Sequence, residues 1–286
     1  MLDKNYIYAV STFVGTAIGV GIFSLPFVAS KSGFSFFVII LIVLGFMTIV
    51  LNLMYGEITL RTKNKSRLVG YCGKYLGKNG KRFAMLIALF ALYSNILAYI
   101  IIGGVFLNSL FSSYLGGNEF IYSMAMFFVI SMGIYVSLKM VSIIELLMVI
   151  FLFVAMFGII IKGGALVKPD NLLTSNFSQA FFPFGAILFS LSALSAIPEL
   201  EHIIKEKKER IKSVIILGSV ITLIVLTLFV AVVLGITGIN TSKDALSGVD
   251  AVMGNGIVTV GLIFGVFAIA TSFLMIGINL KEIFWY

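Results

Sequence analysis

The chain has 286 residues, of which 60% are hydrophobic and 11% are charged, and it contains 27 phenylalanines. A soluble domain of this length cannot bury that much apolar surface, so the composition predicts an integral membrane protein. The net charge of +8 does not indicate nucleic-acid binding, because the basic residues are concentrated in loops between apolar stretches. With Cys72 as the single cysteine, disulfides play no part in the fold.

Eight apolar stretches are long enough to cross a bilayer, whose hydrocarbon core requires about 20 residues of helix. They lie near residues 6–30, 34–58, 83–111, 120–138, 142–161, 178–199, 213–237 and 254–281. The first stretch is too long for a cleaved signal peptide and lacks a basic head and a small-residue cleavage site. No linker rich in Pro, Ser or Gly divides the chain, so we expect one all-α membrane domain over residues 1–286.

Two loops carry most of the positive charge. Residues 61–82 contain eight Lys and Arg and no acid, and residues 201–212 contain five more beside three glutamates. The opposite side holds only Lys31, Lys162, Lys168 and Lys243. The positive-inside rule therefore places the N-terminus and both basic loops in the cytoplasm. Within the first loop, LVGYCGKYLG (68–77) is typical of a short helix on the membrane face.

Two of the apolar stretches are interrupted in a similar way. Residues 15–26 read GTAIGVGIFSLP and residues 185–198 read GAILFSLSALSAIP, so each packs small residues together and ends on a proline. Lipid offers no partner for a free backbone N–H or C=O, and unwound backbone is tolerated at that depth only where it lines a cavity. Corresponding interrupted segments in two halves of a membrane protein indicate a transporter's substrate site.

The first interruption suits a zwitterion. Gly15, Gly19 and Gly21 leave the backbone unshielded, and unwinding exposes N–H groups at the start of a half-helix, where a carboxylate is favoured. The freed carbonyls suit an ammonium group or a small cation. For the glycines taken alone, close packing of helices through small residues is an equally good interpretation.

The third and eighth stretches carry further candidates. Ala268, Thr271 and Ser272 share one helix face, where a carbonyl and two hydroxyls can present three oxygens to a hard cation. The alternative is that the hydroxyls bond to the carbonyls four residues earlier. Asn95 and Tyr99 lie one helical turn apart and are expected to reach a central cavity, although Tyr99 is equally suited to packing in the bundle.

The ionisable residues argue against catalysis. His202 is the only histidine and lies in a charged hairpin, and the sequence contains neither HExxH nor a Cys/His cluster. The protein is therefore predicted not to be an enzyme. Four glutamates lie near the helix ends on the basic-loop side, where pairing with Lys or Arg is the simple interpretation and a role in closing an inner gate is the alternative. These are Glu57, Glu145, Glu199 and Glu282.

Four patches resemble known transporters. GTAIGVGIFSLP resembles the first-helix signature of the amino acid–polyamine–organocation superfamily, whose members share the LeuT-type inverted-repeat fold. FSLSALSAIPEL (189–200) and YGEITLRTKNKSRLVGYCGKYLG (55–77) are similar to the sixth helix and to the second helix and following loop of its amino acid/auxin permease branch. ATSFLMIGINLKEIF (270–284) resembles the eighth helix of the bacterial aromatic amino acid permeases.

The resemblance implies two inverted repeats, near 5–162 and 175–286, with the second repeat incomplete and the chain truncated at its C-terminus. Substrate would bind between the broken first and sixth helices, at Thr16, Ala17, Gly19, Gly21, Tyr99, Ser190, Ser192 and Ser195. In sodium-coupled relatives an ion lies between the first and eighth helices, which implies Gly15, Ile18, Ala268, Thr271 and Ser272 here. Proton-coupled aromatic permeases carry the same Thr-Ser pair, so the resemblance allows either sodium or a proton as the coupling ion.

The expected function is ion-coupled uptake of a neutral amino acid into the cell by a multi-pass cell-membrane protein. No charged residue is placed at mid-membrane, which suits a zwitterion met by backbone dipoles. Phe23, Phe189 and Tyr99 indicate an apolar or aromatic side chain. The alternative is an amino acid sensor or binding protein that uses the same pocket without translocation. The expected partners are the amino acid and the lipid bilayer, with no nucleic acid and no cofactor beyond the coupling ion.

Overall fold

The computed structural model describes residues 4–19, 21–63, 66–133, 161–204, 208–253 and 256–285, and five single positions between 147 and 158. The first half contains α1 (Lys4–Ile18), a 3-10 turn (Gly21–Ser24), α2 (Leu25–Ser32), α3 (Phe34–Arg61), α4 (Leu68–Leu115) and α5 (Glu119–Gly133). The second half contains α6 (Phe184–Ser190), α7 (Ile197–Ile204), α8 (Ile211–Thr237), α9 (Leu246–Met253) and α10 (Ile257–Trp285). The described part is helical and contains no strand, which confirms the all-α class.

Several of these helices are long and apolar enough to cross a membrane, so the protein is a multi-pass membrane protein. Over the described residues there are four, Phe34–Arg61, Leu68–Leu115, Ile211–Asn240 and Gly261–Ile278, and α1 with the segment Gly21–Ser32 forms a fifth if that bent pair is one span. The predicted span at 120–138 coincides with the shorter apolar α5, and 142–161 lies largely outside the described residues. The total of eight spans stays a prediction.

The first predicted interruption is present. α1 ends at Ile18, the chain turns at Gly19 with φ +41°, and α2 begins at Leu25. The segment Gly21–Ser32, which includes α2, is bent by 42° from α1. A positive φ is a conformation that glycine adopts without the steric cost of a Cβ. Pro26 lies in the first turn of α2, where its missing N–H removes no helical hydrogen bond.

The second interruption is also present, but the helix that precedes it begins later than the predicted span at 178–199 indicated. Residues 177–183 form a 3-10 turn and further turns, so helix begins only at Phe184, directly after Pro183. It ends at Ser190, and residues 191–196 are irregular before α7 begins at Ile197. Pro198 occupies the first turn of α7, as Pro26 does in α2.

The basic-loop helix at 68–77 is confirmed as helix. Gly77, with φ +74° and ψ −169°, separates it from the long apolar part of α4. Tyr71 holds it against the end of α3, since its ring lies 6.0 Å from that of Tyr55 and its hydroxyl accepts a hydrogen bond from the Ser66 N–H at 3.3 Å.

The helices pack as two groups with a cavity between them. α1 packs on α7 and α8, and α3 also packs on α8, whereas α4 packs on α5 and α10. At the end away from the basic loops, residues 164–182 run across the bundle. The Asn176 N–H donates to the Ser32 carbonyl at 2.9 Å, and the Lys168 N–H donates to the Gly235 carbonyl at 3.0 Å. This segment therefore ties the end of α2 to the end of α8.

Candidate functional site

A cavity of about 200 Å³ lies between the two interruptions and α4. Backbone and side chains from both breaks form one wall, α4 forms another, and α10 contributes at the level of the first break. The lining residues are Thr16, Ala17, Ile18, Gly19, Gly21, Tyr55, Arg67, Leu68, Val69, Ala88, Ala91, Leu92, Asn95, Tyr99, Phe189, Ser192, Leu194, Ser195, Pro198, Ser272 and Ile276. The wall is mainly apolar, and the charge of Arg67 is the only one among these residues.

Seven of the eight residues predicted to bind substrate line this cavity: Thr16, Ala17, Gly19, Gly21, Tyr99, Ser192 and Ser195. Ser190 does not. Its side chain is fully buried and donates a hydrogen bond to the Ala186 carbonyl at 2.9 Å, while packing against Gly21. The structure thus brings the set together and assigns Ser190 to the packing behind the wall, and the role of the others in binding stays a prediction.

Three elements converge at Gly19. A methyl group placed on Gly19 would lie 3.6 Å from the Tyr99 hydroxyl and 3.7 Å from Ser272 Oγ, so α4 and α10 both reach the first break. The Tyr99 ring lies 6.2 Å from that of Phe189, at the end of α6. The Thr16 hydroxyl donates to the Thr12 carbonyl at 2.8 Å, which leaves its lone pairs as acceptors.

Four polar side chains in the wall have no hydrogen-bond partner within the described part of the chain. They are Asn95, Ser192, Ser195 and Ser272. Ser272 is buried, Asn95 and Ser195 are partly buried and Ser192 is exposed, so the cost of an unpaired polar group is greatest at Ser272. The other three are in part accessible from the cavity. Groups left in this condition in a membrane protein are available to water or to a ligand in the cavity.

Only some of the residues expected to hold a cation are seen to lie close together. Ser272 is buried beside Gly19, and Ile18 lines the cavity. The Gly15 carbonyl accepts the Gly19 N–H at 3.2 Å, so it would have to be shared with an ion. Ala268 is partly buried in α10, and the side chain of Thr271 lies outside the described residues. The described residues contain no cluster of His, Cys, Asp and Glu suited to a metal.

An ion pair lies at the basic-loop end of the cavity. Arg67 Nη2 lies 2.8 Å from Glu199 Oε1, and both side chains are less than one-fifth exposed. Because Arg67 precedes α4 and Glu199 lies in α7, the pair joins two walls of the cavity. Glu57 is likewise paired, with Arg61 at 2.7 Å and Lys212 at 3.5 Å. Pairing is thereby confirmed for these two glutamates; Glu145 and the side chain of Glu282 lie outside the described residues.

Aromatic side chains seal the opposite end. The Phe23 ring lies 5.0 Å from that of Phe106 and 6.2 Å from that of Phe229, both edge-to-face. All three side chains are buried. Phe106 also packs so closely on Gly265 of α10 that no side chain fits there. The cavity therefore extends from the breaks toward the basic loops and not toward the other side.

The sequence did not indicate that Arg67, Ala88, Leu92 and Ile276 line the cavity. A signal for two of them was present, since Ala88 and Leu92 precede Tyr99 by eleven and seven residues and so lie on the same face of α4. Arg67 had no such signal, because its place depends on how the loop after α3 packs against α7.

A bundle of apolar helices with a cavity between two interrupted ones defines a membrane transport protein. The model of the tryptophan/tyrosine permease family matches residues 3–285, and the chain belongs to this family. It is a transporter and not an enzyme, as the sequence predicted. The match confirms the aromatic amino acid permease assignment; the wider superfamily and the LeuT-type fold stay predictions.

Two characterised transporters are similar to the chain. Tyrosine-specific transport system 1 of Haemophilus influenzae is 23% identical over 286 residues, a match that covers 94% of this chain and 70% of the relative. Glutamine transporter 2 of Aliivibrio fischeri is 23% identical over 277 residues and covers 93% of this chain and 71% of the relative. These relatives support an amino acid permease.

Proposed function

We propose that the protein is a symporter that carries neutral amino acids by alternating access, coupled to a cation. The observation that supports this most directly is a cavity between two interrupted helices. Among the described residues that line it, the single charged one, Arg67, is already paired with a carboxylate. A substrate with a net charge would find no compensating group there. A zwitterion has its carboxylate and ammonium groups met by the N–H groups and carbonyls of the breaks.

The substrate side chain is aromatic or has an apolar body in this proposal. Tyr99, Phe189, Leu92 and Ile276 are among the apolar and aromatic residues that line the cavity. Tyrosine and glutamine, the amino acids in the names of the two relatives, are both neutral zwitterions. This is consistent with a pocket that excludes charged side chains strongly and discriminates less strongly among neutral ones.

The coupling cation binds where α10 meets the first break. Ser272 offers a hydroxyl without a partner among the described residues, beside the carbonyls of the unwound segment. A hard cation such as sodium prefers such oxygen ligands. A proton is the other candidate, and in that case Ser272 and Thr271 only pack the helices together.

The two breaks lie in corresponding positions of two halves, which supports LeuT-type inverted repeats near 5–162 and 175–286, and the N-terminus lies in the cytoplasm of a cell membrane. The cavity reaches toward the basic loops, so the conformation corresponds to one that faces the cytoplasm.

Uptake of labelled tyrosine into proteoliposomes tests transport. We expect saturable uptake driven by an imposed sodium or proton gradient, and weaker uptake after Tyr99→Phe. The control is Tyr93→Phe, which removes the same hydroxyl from an exposed position of the same helix. Saturable binding without uptake would identify a sensor instead, and the absence of any amino acid binding would contradict the proposal altogether.

A further inference from the structure

Asn95 occupies a distinct position in the cavity wall. It precedes Tyr99 by four residues on α4, so it lies about 6 Å from Tyr99 along the helix axis, toward the basic loops. Tyr99 is at the level of the first break, since its hydroxyl would be 3.6 Å from a methyl group on Gly19. Asn95 is therefore one helical turn from the backbone that receives the substrate's charged groups.

The shape of the cavity leaves one direction for a substrate side chain. On the other side of Tyr99, α4 continues to Phe106, whose buried ring packs against Phe23 and Phe229. Toward the basic loops the lining continues through Asn95 and Leu92. An amino acid held at the breaks by its ammonium and carboxylate groups therefore extends its side chain toward Asn95.

The chemistry of Asn95 then suits a particular side-chain end. Its carboxamide both donates and accepts hydrogen bonds, and it has no partner among the described residues. Leu92 and Phe189 make the neighbouring wall apolar. Asn95 is partly buried, so a bound ligand displaces the water that the amide meets in the cavity. A ligand that pairs with the amide replaces those hydrogen bonds, whereas an apolar ligand of the same shape leaves the amide unpaired.

We infer that Asn95 determines side-chain specificity: its carboxamide binds the polar end of the substrate side chain, so that the site favours a phenol or a carboxamide over an apolar group of similar shape. This rests on the proposed function, because it assumes an amino acid at the breaks. Tyrosine and glutamine are the amino acids in the names of the two relatives. Each side chain ends in a group that donates and accepts hydrogen bonds, about one helical turn from the α-carbon.

The test compares pairs of ligands that differ at the side-chain end. Binding of tyrosine against phenylalanine, and of glutamine against methionine, is measured on the purified protein in lipid nanodiscs. We expect Asn95→Leu to lower both affinity ratios about tenfold, the weight of one hydrogen bond, by weakening tyrosine and glutamine and not their apolar counterparts. Asn95→Ala should lower both ratios in the same way, so the result does not depend on one variant folding.

Asn108→Leu is the matched control. Asn108 lies on the same helix, outside the cavity lining, and its buried Oδ1 has no partner among the described residues. The control should leave both ratios unchanged. The inference is overturned if the ratios are the same in the wild type and both Asn95 variants, or if Asn108→Leu shifts them equally. A wild type that binds neutral amino acids without preferring the polar member overturns the inference alone, and one that binds none overturns the proposed function as well.

Discussion

Gly21 of the first break lies directly against Ser190 at the end of α6. A methyl group on Gly21 would come within 3.0 Å of Ser190 Cα and 2.9 Å of Phe189 Cδ1. Ser190 cannot turn away easily, because its hydroxyl is bonded to the Ala186 carbonyl. The two interrupted helices therefore touch at backbone distance, and this contact forms the back of the cavity.

Gly21→Ala is expected to destabilise the protein by about 1–3 kcal/mol, the usual effect of overpacking a tight site. Part of the crowding is with backbone, which cannot move aside as a flexible side chain would. Thermal unfolding in detergent measures the effect. Gly185→Ala is the control: it lies in α6 with open space around its Cβ position, and replacing a helical glycine there should be neutral or stabilising. Equal unfolding temperatures for the two variants would contradict the contact.

Gly19→Ala tests the conformation of the first break. At φ +41° the added Cβ is strained, and we expect a loss of about 1–2 kcal/mol in stability. The methyl group would also enter the space between Tyr99 and Ser272, so amino acid binding should weaken. Gly116→Ala imposes similar strain at φ +67° in open space at the end of α4, and it should cost stability without affecting binding. If both variants bind substrate like the wild type, Gly19 does not border the site.

Glu199→Gln removes the charge that pairs with Arg67 at the cavity mouth. The pair is largely shielded from water, so its loss should destabilise the protein by about 1–2 kcal/mol, between the values for exposed and buried pairs. Glu57→Gln, which disrupts the more exposed pairs with Arg61 and Lys212, should have a smaller effect, because water screens exposed pairs. Unfolding temperatures compare the two variants, and a smaller effect at Glu199 would mean that the pair does not hold the walls together.

Replacing Thr271 and Ser272 together by Ala distinguishes the coupling ions. If sodium binds between α10 and the first break, the double variant loses two of five proposed oxygen ligands. Substrate affinity should then lose its sodium dependence, because coupling between two ligands is reciprocal. Titration of substrate binding against sodium measures this, with Ser109→Ala as a control for removing a hydroxyl from an exposed helix face. Wild-type binding that ignores sodium and responds to pH would identify the proton as the coupling ion.

Cysteine labelling tests the orientation. In a Cys72→Ser background, a cysteine at Lys78 should react with an impermeant reagent only from the cytoplasmic side, and one at Lys168 only from outside. Both positions are exposed, so a failure to label would not reflect burial. The positive-inside rule is the physical reason for the expectation. The reverse labelling pattern would contradict the orientation and the direction in which the cavity faces.

The sequence by itself determined the features that depend on local chemistry. Its composition predicted the membrane, and Gly19 and Pro26 marked the first break, because backbone conformation and hydrogen bonding at a break depend on those residues themselves. The second break was located for the same reason, although the start of the helix before it was predicted too early, because the turns around Pro183 delay α6. The sequence also predicted the family, since the motifs that resemble it are short continuous segments.

Only the tertiary structure decided which polar side chains face the cavity and which end of it is closed. Ser190 and Ser192 differ by two positions, yet one is buried behind Gly21 and the other lines the wall. Helical periodicity predicts a facing direction only while the helix continues, and α6 ends between these two residues. The closed end depends on Phe23, Phe106 and Phe229, which belong to segments far apart in sequence. The three rings come into contact because whole helices pack together, and no local sequence pattern predicts that packing.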